Sequence, residues 1–282
     1  MAERLSDVVV KIQNVRQLKA VVTALRGIAA SRAQSGRSLL AGIEAYTDVI
    51  SVAVGEALDL LPADPVPPMV RDNSDRGVIL FCAEQGFAGP FSERVFEAAG
   101  ADLDGATVLV AGSRGTVVAA ERGIKPDWSA PMMTRVEGIP SFANALAEVL
   151  YRYVGQGLIT RADIFFSRSV SGAIRIDRHS LLPIDFGRFA RPARNQPPLI
   201  SLAPQLLLER LAAEYVYAHL CQAAMHAFVA ENEARMIAMV AAKNNTETTL
   251  DALSRRERQL RQEEITTEIV ELAAGAEASL GS

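Results

Sequence analysis

The two ends of the chain carry apolar residues at the spacing of a coiled-coil helix. At the N-terminal end these residues follow one another in steps of three and four within 5–29 and again within 39–60, with an extra three-residue step at Leu18 that acts as a stutter. The positions are Leu5, Val8, Ile12, Val15, Leu18, Val22, Leu25, Ala29, Leu39, Ile43, Tyr46, Ile50, Ala53, Ala57 and Leu60. The pattern predicts one coiled-coil helix over residues 1–61.

The C-terminal end repeats this pattern over residues 205–282. Its apolar positions are Leu211, Tyr215, Ala218, Met225, Val229, Met236, Met239, Leu250, Leu253 and Leu260. Several positions between them are polar, so the surface that receives this helix is not uniformly apolar. No proline precedes Pro62 and none follows Pro204, which leaves both ends free to remain helical.

Neither terminal helix can bury its apolar stripe alone, because long helices owe most of their stability to packing. The simplest arrangement is an antiparallel pair formed by the two ends. Glycine weakens a helix by up to about 1 kcal/mol relative to alanine. We therefore expect bending or fraying at Gly27, Gly36, Gly42 and Gly55.

The middle of the chain alternates between strand and helix patterns. Continuous apolar runs at 77–83 and 106–112 predict buried strands, and 141–154 has a helical stripe. A hairpin is expected with Ser171-Gly172 at its turn. Residues 76–187 should therefore form a small α/β, Rossmann-like domain, flanked by proline-rich linkers at 62–75 and 188–204. The predicted fold class is α/β with long helices: an antiparallel coiled coil of the two ends with an inserted α/β domain.

Composition narrows the function classes. A formal net charge of −4 argues against nonspecific nucleic-acid binding, which needs a basic excess. Cys82 and Cys221 lie far apart and have no metal-ligand spacing, so a reducing compartment fits and neither a disulfide nor zinc is expected. No run of 18 apolar residues and no basic, cleavable leader is present, so we expect neither a membrane span nor export.

Few residues suggest chemistry. The turns EQGFAGP and AGSRG could receive a phosphate, but neither matches a dinucleotide or P-loop motif, so plain strand-to-helix turns are the favoured interpretation. His179, His219 and His226 are the only histidines, and packed or solvated rings explain them better than a metal site. We predict no catalytic residue, no cofactor and no metal.

Four arginines lie within seven residues of the predicted C-terminal helix. They are Arg255, Arg256, Arg258 and Arg261. One interpretation is a solvated face paired with Glu257 and Glu264, and the other is docking onto acidic loops of another protein. The sequence leaves both open.

Motifs at both ends are similar to those of one family. KIQNV (11–15) and VVTALRGIAASR (21–32) resemble R-I-x-S-V and I-T-x-A-M-K-x-V-A-A-S-K. ENEARMIAMVAAKNN (231–245) resembles S-E-x-x-A-R-M-x-A-M-x-x-A-x-x-N-A, and RQEEITTEIVELAAGA (261–276) resembles R-Q-x-x-I-T-x-E-I-x-E-I-x-x-G-A. These are motifs of the gamma subunit of F-type rotary ATP synthases.

The sequence also departs from the family pattern. Leu25 stands where the family usually has methionine, and Arg258 where it often has asparagine. In the middle, Glu84, Gln85 and Ser92 replace the aspartate, arginine and asparagine of S-D-R-G-L-C-G-x-x-N. The departures predict a divergent bacterial branch, and whether it is the alternative, sodium-type ATPase stays open.

The resemblance implies a central-stalk rotor that couples ion flow through a membrane ring to ATP synthesis or hydrolysis on catalytic beta subunits. The chain itself would be non-catalytic. Its expected partners are a hexamer of alpha and beta subunits, the epsilon subunit and the c-ring, but no nucleic acid. It would lie, as a peripheral protein, at the cytoplasmic face of the bacterial plasma (inner) membrane.

The resemblance also implies contacts through which torque passes to the beta subunits. The expected contact residues are Leu25, Arg26, Arg235, Met239, Arg261, Gln262, Thr266 and Glu268. Two alternatives from other classes remain at this point: a coiled-coil scaffold protein, and a nucleotide-binding α/β enzyme with helical arms.

Overall fold

The computed structural model describes residues 4–61, 75–189 and 199–280. The helices are α1 (Leu5–Leu58), α2 (Phe91–Ala99), α3 (Ser113–Glu121), α4 (Ile139–Gly155) and α5 (Pro204–Leu280). The strands are β1 (Arg76–Phe81), β2 (Thr107–Ala111), β3 (Trp128–Ala130), β4 (Arg161–Val170) and β5 (Ala173–Leu182). Most of the predicted linker 62–75, and residues 190–198 of the predicted linker 188–204, lie outside the described residues.

The chain divides into two compact units, and α1 and α5 contribute to both. The helical unit comprises residues 1–28 and 236–282, and the sheet unit comprises residues 29–235. The predicted pairing of the chain ends can therefore be examined in each unit separately.

In the helical unit, α1 and α5 pack antiparallel. Val8 and Ile12 share a buried apolar cluster with Leu260. Further along α1, the Lys19 ammonium lies 2.8 Å from the Glu247 carboxylate. Because later residues of α1 meet earlier residues of α5, the two segments run in opposite directions, as the sequence predicts.

The position predicted for Leu18 is wrong. This side chain is 51% exposed, whereas Val15 and Lys19 are half-buried and Val22 is buried. The stripe therefore passes through Lys19, whose aliphatic stem can pack while its ammonium reaches Glu247 at the rim.

The sheet unit is built on a five-stranded mixed sheet with the order β3-β2-β1-β4-β5. β1 lies parallel to both β2 and β4, and β5 returns antiparallel to β4 through the predicted turn at Ser171 and Gly172. The central strands are buried on both faces, which explains their continuous apolar sequences.

Alternate residues of β1 serve the two faces of the sheet. Val78 and Leu80 pack with Val95 of α2 and Val118 of α3. On the opposite face, Ile79 and Phe81 belong to a cluster with residues of α4 and α5, including Leu146, Leu150, Leu220 and Phe228. The sheet thus packs directly against α5.

The α1–α5 pairing in the sheet unit is also antiparallel. Arg37 Nε donates to Glu233 Oε1 at 2.8 Å, and the Tyr46 hydroxyl donates to Glu214. The fraying expected at glycines of α1 is not observed, since the helix runs uninterrupted from Leu5 to Leu58. At Gly36 a Cβ would lie 2.5 Å from Val229 Cγ2, so glycine permits close approach of the helices there.

By length and composition α1 could cross a membrane. One 18-residue window reaches a mean hydropathy of 1.3, and 17% of that window is buried. This differs from the expectation based on unbroken apolar runs, because scattered charges lower the run length without removing the average hydropathy. The paired packing of α1 on α5 accounts for part of this apolar surface.

Candidate functional site

The outer surface of α5 in the helical unit contains four of the predicted contact residues. Arg261, Gln262, Thr266 and Glu268 are all exposed. Arg261 Nη2 lies 2.8 Å from Glu257 Oε1, as expected for the interpretation of this cluster as a solvated face paired within the helix. The Arg261 side chain is nevertheless 61% exposed and retains surface for another partner.

Apolar side chains lie beside these polar ones. Ile265, Ile269 and Leu272 follow one another in steps of four and three, and all three are exposed. Every residue from 261 to 274 is exposed within this chain. A contiguous apolar stripe rimmed by charges is typical of a surface that another protein covers.

A second exposed stripe lies on α1 in the same unit. Leu18, Val21 and Ile28 are each about half exposed, and Leu25 lies between them at helical spacing, partly buried. Arg26 is exposed next to this stripe. Six of the eight predicted contact residues, including Leu25, therefore have surface that a partner could reach.

The other two predicted contact residues face inward. Arg235 is 5% exposed and Met239 is 3% exposed. Arg235 Nε donates to the Gly86 carbonyl at 3.1 Å and Nη2 to the Gln85 carbonyl at 3.0 Å. We therefore reassign Arg235 to a role inside the chain, because its donors are already used, and omit Met239 from the contact surface because of its burial.

The turn AGSRG (111–115), one of the two phosphate candidates, is occupied by the chain's own Glu84 carboxylate. Glu84 Oε2 accepts from the Ser113 backbone N–H at 3.0 Å, and Glu84 Oε1 accepts from the Ser113 hydroxyl at 2.8 Å. Ser113 begins α3, where a phosphate would bind in many α/β proteins. The Glu84 carboxylate thus occupies the position at the start of α3 where a bound anion would otherwise lie.

The histidines are packed, as predicted. His179 stacks on His219 with ring centroids 4.2 Å apart, and His226 stacks on Phe166 at 5.8 Å. Burial, followed by the nearby His179 ring, lowers the pKa of His219 to about 3. Among the described residues, no group of three or more histidine, cysteine or acidic side chains could hold a metal ion.

Curated relatives match this chain over nearly its whole length. The ATP synthase gamma chain of Opitutus terrae is 22% identical, over 95% of this chain and 96% of the relative. That of Streptomyces griseus is 26% identical, over 95% and 93%. The profile of the family described as ATP synthase matches residues 4–279. The chain belongs to the gamma-chain family of ATP synthases.

Solved structures support the same fold for this family member. A chain of the Euglena gracilis mitochondrial ATP synthase, in an assembly of F1 and the c-ring, has a TM-score of 0.67 at 11% identity, covering 97% of this chain and 94% of that one. A chain of the central stalk and c-ring of Tetrahymena thermophila has a TM-score of 0.54 at 14% identity, covering 79% and 99%. The predicted fold, two long terminal helices around an α/β sheet, is confirmed.

The motif that contains Glu231 and Arg235 is evident in the sequence, but the contacts of these two residues are not. Both residues are buried and both bind the backbone of the loop at residues 84–86. Their spacing of four on one helix was visible in the sequence. The loop that they bind lies about 150 residues away, and no local pattern connects the two.

Proposed function

We propose that this chain is the central-stalk rotor of an F-type ATP synthase and that it couples ion flow through a membrane ring to ATP synthesis or hydrolysis on beta subunits. The single observation that carries the proposal is a mixed apolar and charged surface on α5 that the chain leaves uncovered, in a member of the gamma-chain family. A ring of surrounding subunits would cover it.

The contact surface comprises Leu25 and Arg26 of α1 together with Arg261, Gln262, Thr266 and Glu268 of α5. Guanidinium and amide groups form directional hydrogen bonds with carboxylates and carbonyls. Such bonds form and break as the rotor turns, whereas a deep apolar lock with one subunit would stop it. The surface thus biases each beta subunit toward a different conformation in turn.

The partners that fit this function are alpha and beta subunits, an epsilon subunit and the c-ring. The two similar structures are ATP synthase assemblies that contain a c-ring, together with F1 in one case and the central stalk in the other. A peripheral position at the cytoplasmic face of the bacterial plasma membrane is part of the proposal. The reaction chemistry belongs to the beta subunits, and this chain contributes no catalytic group.

Reconstitution with alpha and beta subunits tests the proposal. We expect the full chain to be recovered in one copy with three alpha and three beta subunits by native mass spectrometry, and to support ATP-driven rotation. A chain truncated at Asn195, which lacks α5, should lose coupled turnover. ATP hydrolysis by the purified chain alone would overturn the proposal.

The two alternatives predict different results in the same preparation. A coiled-coil scaffold would not assemble in this stoichiometry. A nucleotide-binding enzyme would retain ATP or NAD in equilibrium dialysis, which Glu84 disfavours because its carboxylate occupies the start of α3.

A further inference from the structure

A buried polar clasp joins α5 to the loop that follows β1. The clasp consists of Glu231 and Arg235 on α5 and the backbone of residues 84–86. Glu231 Oε2 accepts from the Glu84 N–H and Glu231 Oε1 from the Gln85 N–H, both at 3.1 Å. Arg235 donates to the carbonyls of Gln85 and Gly86 at 3.0 and 3.1 Å. One carboxylate and one guanidinium thus hold four backbone groups of one short loop.

Burial strengthens this clasp, because its charged groups form their hydrogen bonds away from water. Glu231 and Arg235 are 4% and 5% exposed, and they form an ion pair with each other. Asn232 Oδ1 accepts from Arg235 Nη1 at 3.2 Å while its amide donates to the Phe228 carbonyl at 2.8 Å. Charge-assisted hydrogen bonds away from water are strong, and leaving one partner unpaired there is costly.

The clasp continues into the rest of the sheet unit through Glu84. Its backbone N–H binds α5, while its side chain accepts from the N–H of Ser113 and from the N–H of Met132 at 2.8 Å. Ser113 begins α3 and Met132 follows β3. One residue therefore connects α5 with the start of α3 and with the segment that follows β3.

Apolar packing alone would hold α5 less firmly against rotation about its own axis. The buried residues of α5 that face the sheet include Ala223, Ala224, Ala227 and Phe228. Contacts between such side chains are non-directional, so a small rotation of the helix exchanges one contact for another. The hydrogen bonds of Glu231 and Arg235 weaken steeply on the same rotation, because they depend on the angle between donor and acceptor.

We propose that this clasp is the torque-bearing joint between α5 and the α/β sheet, with Glu231 and Arg235 as positioning residues. This inference rests on the proposed rotor function. The clasp makes the sheet turn together with α5 instead of slipping around it. Glu231 and Arg235 are buried inside the chain, so they act on the machine only through the stiffness of the joint.

The chain offers a matched control for the test variant Glu231→Gln. Glu233 lies two residues away on α5, is equally buried at 4% exposure, and pairs with Arg37 of α1 instead of the loop. Glu233→Gln removes the same charge from the same helix but leaves the clasp intact. Arg235→Lys keeps the charge and loses the forked geometry, and it replaces Glu231→Gln if that variant fails to assemble.

The decisive measurement is the torsional stiffness of the rotor in complexes with alpha and beta subunits. A bead attached through Lys125→Cys, an exposed position on the sheet unit, reports angular fluctuations while the motor is stalled. We expect Glu231→Gln and Arg235→Lys to lose stiffness and Glu233→Gln to keep it. Amide exchange at Glu84 and Gln85 should speed up by about tenfold or more in Glu231→Gln, as expected for losing hydrogen bonds to a charged group.

Two results would overturn the proposed joint. Either the clasp variants keep the torsional stiffness of the unmodified chain, or Glu233→Gln loses as much stiffness as the clasp variants do. Failure of the proposed function looks different, because the unmodified chain would then show no ATP-driven rotation. A clasp variant that lowers only the melting temperature, with unchanged stiffness, would make the clasp a stabilising feature and would also overturn the proposal.

Discussion

At the scale of single residues, two neutral imidazoles packed between β5 and α5 make the sheet unit sensitive to acid. His219 lies between His179 and the edge of Tyr215, and the positive charge of Arg188 acts on both imidazoles. Burial is the largest cause of the lowered pKa at both histidines, and Asp163 opposes it only at His179. Protonation would place a positive charge in a partly buried site close to Arg188.

The direction in which stability changes with pH follows from the difference between the pKa of His219 in the folded and unfolded chain. The pKa of His219 falls from an ordinary value of about 6.5 to about 3 in the folded chain. The neutral His219 imidazole therefore makes its full contribution to the free energy of unfolding above about pH 6.5. This contribution is lost as the pH falls toward the pKa in the folded chain, at up to about 1.4 kcal/mol per pH unit. The native state loses stability in mild acid.

We predict that His219→Phe, which keeps an aromatic ring but cannot be protonated, reduces the loss of stability between about pH 7 and about pH 5. The measurement is the free energy of unfolding by urea at both pH values. Tyr215→Phe is the control, since it retains both imidazoles and should keep the pH dependence of the unmodified chain. An identical pH dependence in His219→Phe would show that this ring does not govern acid stability.

At the scale of elements, the close approach of α1 and α5 depends on one glycine. A Cβ at Gly36 would meet the Val229 side chain at 2.5 Å and Phe228 at 3.3 Å. At Gly42, on the same helix, a Cβ would meet nothing within 4 Å. The two glycines thus differ in tertiary contacts although both lie inside α1.

We predict opposite effects of alanine at these two positions. Gly36→Ala should destabilise the chain by about 1–3 kcal/mol, because the added methyl overpacks the helix interface. Gly42→Ala should stabilise it by up to about 1 kcal/mol through helix propensity. Urea unfolding of the two variants measures both changes, and equal signs would contradict this account of the interface.

At the scale of the whole molecule, the proposed coupling uses exposed polar groups of α5. Arg261 and Gln262 have surface available to a partner, and neither is part of the chain's buried core. Their removal should therefore affect the assembled motor more than the folded chain.

We predict that Arg261→Ala combined with Gln262→Ala lowers the coupled ATPase rate and the torque of the reconstituted complex, with a melting temperature close to that of the unmodified chain. Arg16→Ala is the control, since this arginine is also exposed but lies outside both the predicted contacts and the arginine cluster of α5. Unchanged torque and turnover in the double variant would remove both residues from the contact surface.

Elements whose periodicity is local could be predicted from the sequence. The long helices, the buried strands β1 and β2 and the hairpin at Ser171 follow from side-chain spacing and turn residues, and all are present. The short strand β3 (Trp128–Ala130) went unpredicted, because three residues are too few to show alternation. Leu18 was misplaced, because apolar character alone does not determine which side of a helix meets its partner.

By itself, the sequence determined the class of fold, the antiparallel pairing of the ends and the family, since these depend on periodic patterns and on motifs of neighbouring residues. The tertiary structure alone decided the inward position of Arg235, the capping of α3 by Glu84 and the close contact at Gly36. Each depends on atoms from segments far apart in the chain. Whether a polar side chain is a surface contact or a buried clasp is settled only when those segments meet.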